Sequence, residues 1–149
     1  MRATLALGVA ALALAPSAHA DAAYHSAHVA LTPAGASPLR SGFVENIHPN
    51  GPNVFAHEQY VLNGAVPNTT YTVTIHITSL ADTTCAAPFL NLDTASLTTN
   101  SAGNGSASKV FTPADVCGLA NSTIHAYWTV SSGCTVVYTT SCQTITLDS

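Results

Sequence analysis

Residues 71–78 constrain this chain more than any other stretch. Tyr71, Val73, Ile75 and Ile77 alternate with Thr72, Thr74, His76 and Thr78, and a period of two turns one row to a core and the other to water. The stretch is a half-buried β-strand. Ile124, Ala126, Trp128 and Val130 alternate with His125, Tyr127 and Thr129 in the same way, so Tyr71 and Trp128 are expected core anchors. Shorter candidates lie at residues 28–31, 42–47, 54–62, 89–99 and 107–111, with Phe55 and Tyr60 on opposite faces of the third of these. Between them stand clusters rich in Gly, Pro and Asn, the residues of turns.

Two connections carry more detail. Asn104-Gly105, between residues 89–99 and 107–111, reads as a β-hairpin signal. Thr112-Pro113-Ala114-Asp115 can cap one helical turn, with Thr112 at the N-cap. Near the end of the chain Val136 and Tyr138 put apolar groups on even positions, whereas Ile145 and Leu147 put them on odd ones. One extra residue must be absorbed between them, and a bulge near Cys142 would do so. The fold class is thus all-β, an antiparallel Greek-key, immunoglobulin-like sandwich of about seven or eight strands, with a closed barrel as the structural alternative.

The corner before the strand at residues 71–78 adds a family likeness. Pro67-Asn68-Thr69-Thr70-Tyr71 resembles the Pro-Gly-Thr-x-Tyr corner of fibronectin type III modules, with Pro67, Thr69 and Tyr71 matching and Asn68 in the glycine's place. The likeness covers about ten residues and implies the sandwich class. It also implies that the Tyr71 hydroxyl bonds back to backbone a few residues upstream.

The N-terminus reads as an export signal. A basic start at Arg2, an apolar run at residues 5–14 and the small-x-small pattern Ala18-His19-Ala20 make residues 1–20 a secretory signal peptide. That run is too short to span a bilayer. Cleavage after Ala20 fits, and so does cleavage after Ala22. Residues 21–40 then hold an N-terminal strand and loop, and residues 41–149 the sandwich domain. After Ala20 the chain carries seven carboxylates against two basic residues, Arg40 and Lys109, a net charge of −5 with histidines neutral. So acidic a chain excludes nucleic acid and makes an anionic membrane a poor partner, and no membrane insertion is expected.

Four cysteines in an exported chain imply two disulfides. Cys134 and Cys142 along one extended strand would lie some 26 Å apart, at roughly 3.3 Å per residue, beyond a disulfide's reach. The strand map favours Cys85–Cys142 with Cys117–Cys134.

No nucleophile elbow, phosphate loop or zinc-ligand spacing is present. His57-Glu58 begins like a zinc-protease helix, but Val61 stands where the second histidine belongs and the segment reads as strand. Glu45 and Glu58 could pair as a glycosidase acid and base, although exposed carboxylates beside turns are the ordinary case. The expected function is a secreted, non-enzymatic binding module for a protein or polysaccharide, with no cofactor. The alternative is extracellular copper binding through His25, His28, His76 and His125, because imidazole is the commonest transition-metal ligand. Cleavage after Ala22 would make His25 the third residue, able to wrap Cu(II) with the terminal amine and two backbone amides.

Overall fold

The computed structural model describes residues 25–48, 56–112, 114–116, 118–119 and 122–147. The signal peptide, both cleavage sites, Phe55, Pro113 and Cys117 lie outside them. Among the described residues ten strands follow one another: β1 (His25–Ala30), β2 (Thr32–Pro33), β3 (Ser41–His48), β4 (Ala56–Asn63), β5 (Thr70–Thr78), β6 (Leu90–Thr98), β7 (Gly105–Phe111), β8 (Ser122–Ser132), β9 (Thr135–Thr139) and β10 (Gln143–Leu147). They form two antiparallel sheets, one in the order β1-β3-β4-β7 and the other β2-β9-β8-β5-β6, with β10 also on β8. The fold is a β-sandwich.

The surplus over eight strands comes from breaks in what reads as continuous chain. β1 and β2 are one extended segment that changes sheets at Leu31: β1 pairs with β3, and β2 pairs with β9. Residues 25–33 therefore belong to the sandwich and do not precede it. β9 and β10 both run along β8 and are separated by residues 140–142, where the phase change in the sequence requires an interruption. Thr140 bridges that break, because its N–H donates to the Trp128 carbonyl at 3.0 Å and its Oγ1 accepts the Trp128 N–H at 2.9 Å. A further register shift between Val130 and Ser131 turns Val136 outward, while Tyr138 stays buried.

The core lies between the sheets. Tyr71, Val73, Ile75 and Ile77 from β5 and Ile124, Ala126, Trp128 and Val130 from β8 are all buried, facing Val44, Tyr60, Leu62 and Phe111 from the other sheet. Both expected anchors are in place. The Asn104-Gly105 connection, however, is not a hairpin. β6 pairs with β5 and β7 pairs with β4, so this turn carries the chain from one sheet to the other. Local bonds explain why: Asn100 Oδ1 accepts the N–H groups of Ala102 and Asn104, while Asn104 Oδ1 accepts the N–H of Gly64. The turn is fixed to the chain between β4 and β5, and its side chains satisfy groups that a two-residue hairpin would pair across strands.

At the Pro67 corner, Asn68 takes φ +50°, the left-handed conformation that suits the glycine it replaces. The Tyr71 ring is buried against that of Tyr138, and the Tyr138 hydroxyl donates to the Pro38 carbonyl at 2.8 Å. Around residues 112–116 the described chain makes a turn and no helix, and the Asp115 carboxylate accepts both the Thr112 N–H at 2.8 Å and the Thr112 hydroxyl at 2.7 Å.

Candidate functional site

Strand alternation scatters the histidines singled out in the sequence. His28 lies on the outer face of the four-stranded sheet, with Nδ1 2.6 Å from Glu45 Oε2 and its ring against Phe43. His76 lies on the outer face of the other sheet, stacked on Tyr127 and held between Asn91 Oδ1 and Thr129 Oγ1. His125 shares that face but is buried, because the loop after β5 covers it and the Asp82 carbonyl lies 2.9 Å from its Nδ1. His25 pairs with His48 in register, and its side chain lies outside the described part. The two sheets thus separate His28 from His76 and His125. Among the described residues no cluster of three or more His, Cys, Asp or Glu is placed to hold a metal ion.

Cys85 and Cys142 form a disulfide, which ties the loop after β5 to the break between β9 and β10. Cys134 carries a free, exposed thiol in the turn after β8. Cys117, the partner expected for it, lies outside the described residues.

The chemically unusual group is one expected at the surface. Glu58 is 1% exposed, between the sheets. Along β4, His57 and Gln59 face out while Glu58, Tyr60 and Leu62 face in, so the carboxylate sits in the core row of its own strand. Three donors hold it: Asn46 Nδ2 at 2.6 Å on Oε1, and on Oε2 Tyr60 OH at 2.5 Å and Trp128 Nε1 at 2.8 Å. Lys109 stands opposite Glu58 in register on β7, yet its ammonium bonds Asp115 at 2.8 Å. Burial pushes the Glu58 carboxyl up to about 7, partly opposed by its hydrogen bonds from Tyr60, Trp128 and Asn46. The same burial, together with the Glu58 charge, keeps the Tyr60 phenol far above its ordinary range, so it remains a neutral donor.

Asn46 connects this network to the surface. It is 2% exposed, and its Oδ1 has no partner among the described residues. It also lines a crevice of roughly 340 Å3 together with Ser26, Ala27, His48, Thr144, Ile145 and Thr146. The topology accounts for the opening: the sheet-switching β1–β2 segment closes that side of the sandwich beside β9, and the gap left beside β10 is the crevice. Its wall offers hydroxyl, carboxamide and imidazole groups, with no carboxylate and no ammonium among the described residues. Glu45 and Glu58, on adjacent and oppositely facing register positions of β3 and β4, point to opposite sides of one sheet and cannot work together across a cleft.

Sequence patterning contains the signal for this site. Asn46 falls in phase with Val44, and Glu58 with Tyr60 and Leu62, so a polar residue in a core row marks each. Comparison with protein-family models, curated proteins and solved structures finds no match to this chain.

Proposed function

We propose that the protein is a secreted, non-enzymatic binding module that seats an uncharged, hydroxyl-rich segment of a polysaccharide in the crevice between β1 and β10. The observation that carries this reading is the crevice of roughly 340 Å3, whose described lining is rich in hydroxyl and carboxamide groups from Ser26, Asn46, Thr144 and Thr146. The Ser26, Thr144 and Thr146 hydroxyls both donate and accept, as sugar hydroxyls do, and among the described lining residues there is no carboxylate and no ammonium. The Cys85–Cys142 bridge is compatible with an extracellular setting.

The test is an NMR titration of isotope-labelled mature protein with neutral hexasaccharides of glucose and of N-acetylglucosamine. Binding is expected to move the resonances of Ser26, Asn46, Thr144 and Thr146 together. Absence of any shift at millimolar sugar, or shifts confined to the outer sheet faces, overturns the assignment.

A further inference from the structure

The crevice runs along strand edges and not across a sheet face. Successive residues of a strand point to opposite faces, yet three consecutive residues of β10, Thr144, Ile145 and Thr146, line it, and so do the consecutive Ser26 and Ala27 of β1. The Ile145 side chain is buried in the core whereas Thr144 is exposed, so what these residues share along the crevice is their backbone. Among the described residues β1 pairs only with β3, and β10 pairs only with β8. The two strands belong to different sheets, and each turns an unpaired edge to the opening between them. The crossing from β6 to β7 closes the far side of the sandwich, and β2 on β9 closes part of this side. The crevice is the seam left open beside it.

An open edge has a defined chemistry. Along an antiparallel strand alternate residues direct their N–H and C=O to opposite neighbours, so at least one of residues 144–146 and one of residues 26–27 present both groups to the crevice. Backbone donors and acceptors thus stand on both walls. The floor between them is polar, formed by Asn46 and His48 on the inward row of β3.

We infer that the crevice recognises the acetamido group of an N-acetylated amino-sugar polysaccharide, which bridges the edges of β1 and β10. The inference rests on the crevice being a polysaccharide site and names the sugar. A secondary amide is trans and directs its N–H and C=O in opposite directions, as each peptide unit of a central strand does toward its two neighbours. One acetamido group therefore donates to a carbonyl on one edge and accepts an N–H from the other, while the ring hydroxyls meet those of Ser26, Thr144 and Thr146. Its methyl packs on Ala27, which is in phase with the buried Val29 and so faces between the sheets. A glucose unit carries hydroxyls but no such opposed donor and acceptor. An added peptide strand would also satisfy the edges, but it turns alternate side chains inward, onto Asn46 and His48. Strand addition draws its specificity from side-chain pockets, and the described floor is instead a polar surface.

The experiment compares three probes by NMR on the isotope-labelled mature chain: the hexasaccharides of N-acetylglucosamine and of glucose, and an acetylated, amidated hexapeptide of alternating Ser and Thr. Titration gives the dissociation constants, and hydrogen exchange is followed at the backbone amides of residues 26–27 and 144–146. The N-acetylglucosamine chain is expected to bind about tenfold more tightly than the glucose chain, the contribution of two ordinary net hydrogen bonds, and to slow exchange at one or more of those amides. With the glucose chain they are expected to exchange as in the free protein. Equal affinity for the two sugars, or N-acetylglucosamine binding that protects none of these amides, overturns the acetamido assignment and leaves the polysaccharide reading standing. A peptide that binds more tightly than either sugar and protects the same amides overturns it in favour of strand addition. Failure of both sugars to bind overturns the polysaccharide reading and the acetamido assignment together.

Discussion

Glu58 and Trp128 report on each other, because the single tryptophan of the chain donates its Nε1–H to the one carboxylate buried in the core among the described residues. Intrinsic fluorescence is therefore expected to change with pH along a single transition centred near 7, and Glu58→Gln is expected to abolish it. A transition that survives the substitution would show that another group is its source. Trp128→Ala should cost about 3–5 kcal/mol, since the residue is fully buried and its loss also removes a donor from the carboxylate. The row that buries Trp128 was legible as alternation in the sequence. The role of Glu58 was not, because residue type argued for the surface while position argued for the core. Tyr60 and Leu62 in the same phase fix the position, and three donors from three strands make the carboxylate tolerable there. Two of those donors, Asn46 and Trp128, stand 12 and 70 residues away in sequence, a proximity that no local pattern contains.

Strands were more legible than the links between them. Periodicity located β5 and β8 and required the break between β9 and β10, all of which depend on which side chains must leave water. Whether a Gly-containing turn returns to the same sheet or crosses to the other depends on contacts made outside the turn. Gly103 makes such a contact: at φ +75° it packs so closely that a Cβ would stand 2.1 Å from the Ala65 carbonyl oxygen. Gly103→Ala should accordingly lower stability by about 1–3 kcal/mol through backbone strain alone, measured by denaturant unfolding. An unchanged midpoint would mean that the turn is not docked on Ala65. The Cys85–Cys142 pairing likewise depends on contacts between distant segments. Cys85 and Cys142 are brought together by the loop over β8, and reducing them should cost about 2–5 kcal/mol. In native protein an alkylating reagent is expected to label Cys134, and a Cys134 that resists labelling would restore the second bridge as an explanation.

At the scale of the whole molecule these charges set how stability follows pH. For Glu58 the folded value, about 7, lies above the reference value of 4.5. Between the two the folded chain holds a proton that the unfolded chain has released, so stability falls as pH rises through that window. The full difference is roughly 3 kcal/mol at 1.36 kcal/mol per pH unit. Asp115 and Asp82 act in the opposite sense at lower pH. Lys109 and Thr112 hold the Asp115 carboxyl below its ordinary range, and the Ala87 N–H and Thr84 do the same for Asp82. Their contributions are present above the ordinary carboxylate range and are lost as pH falls through the folded values, and their exposure keeps them small. The chain is thus expected to be most stable on the mildly acidic side, near pH 4.5–5, and to lose stability steadily toward pH 7 before levelling off. Urea unfolding at intervals from pH 3 to 9 measures the profile directly. Glu58→Gln should flatten the limb between pH 4.5 and 7 while leaving the acid limb in place, because the two limbs arise from different carboxylates on opposite sides of the solvent boundary. A variant profile that keeps the full neutral limb would show that the core carboxylate is not the group that titrates.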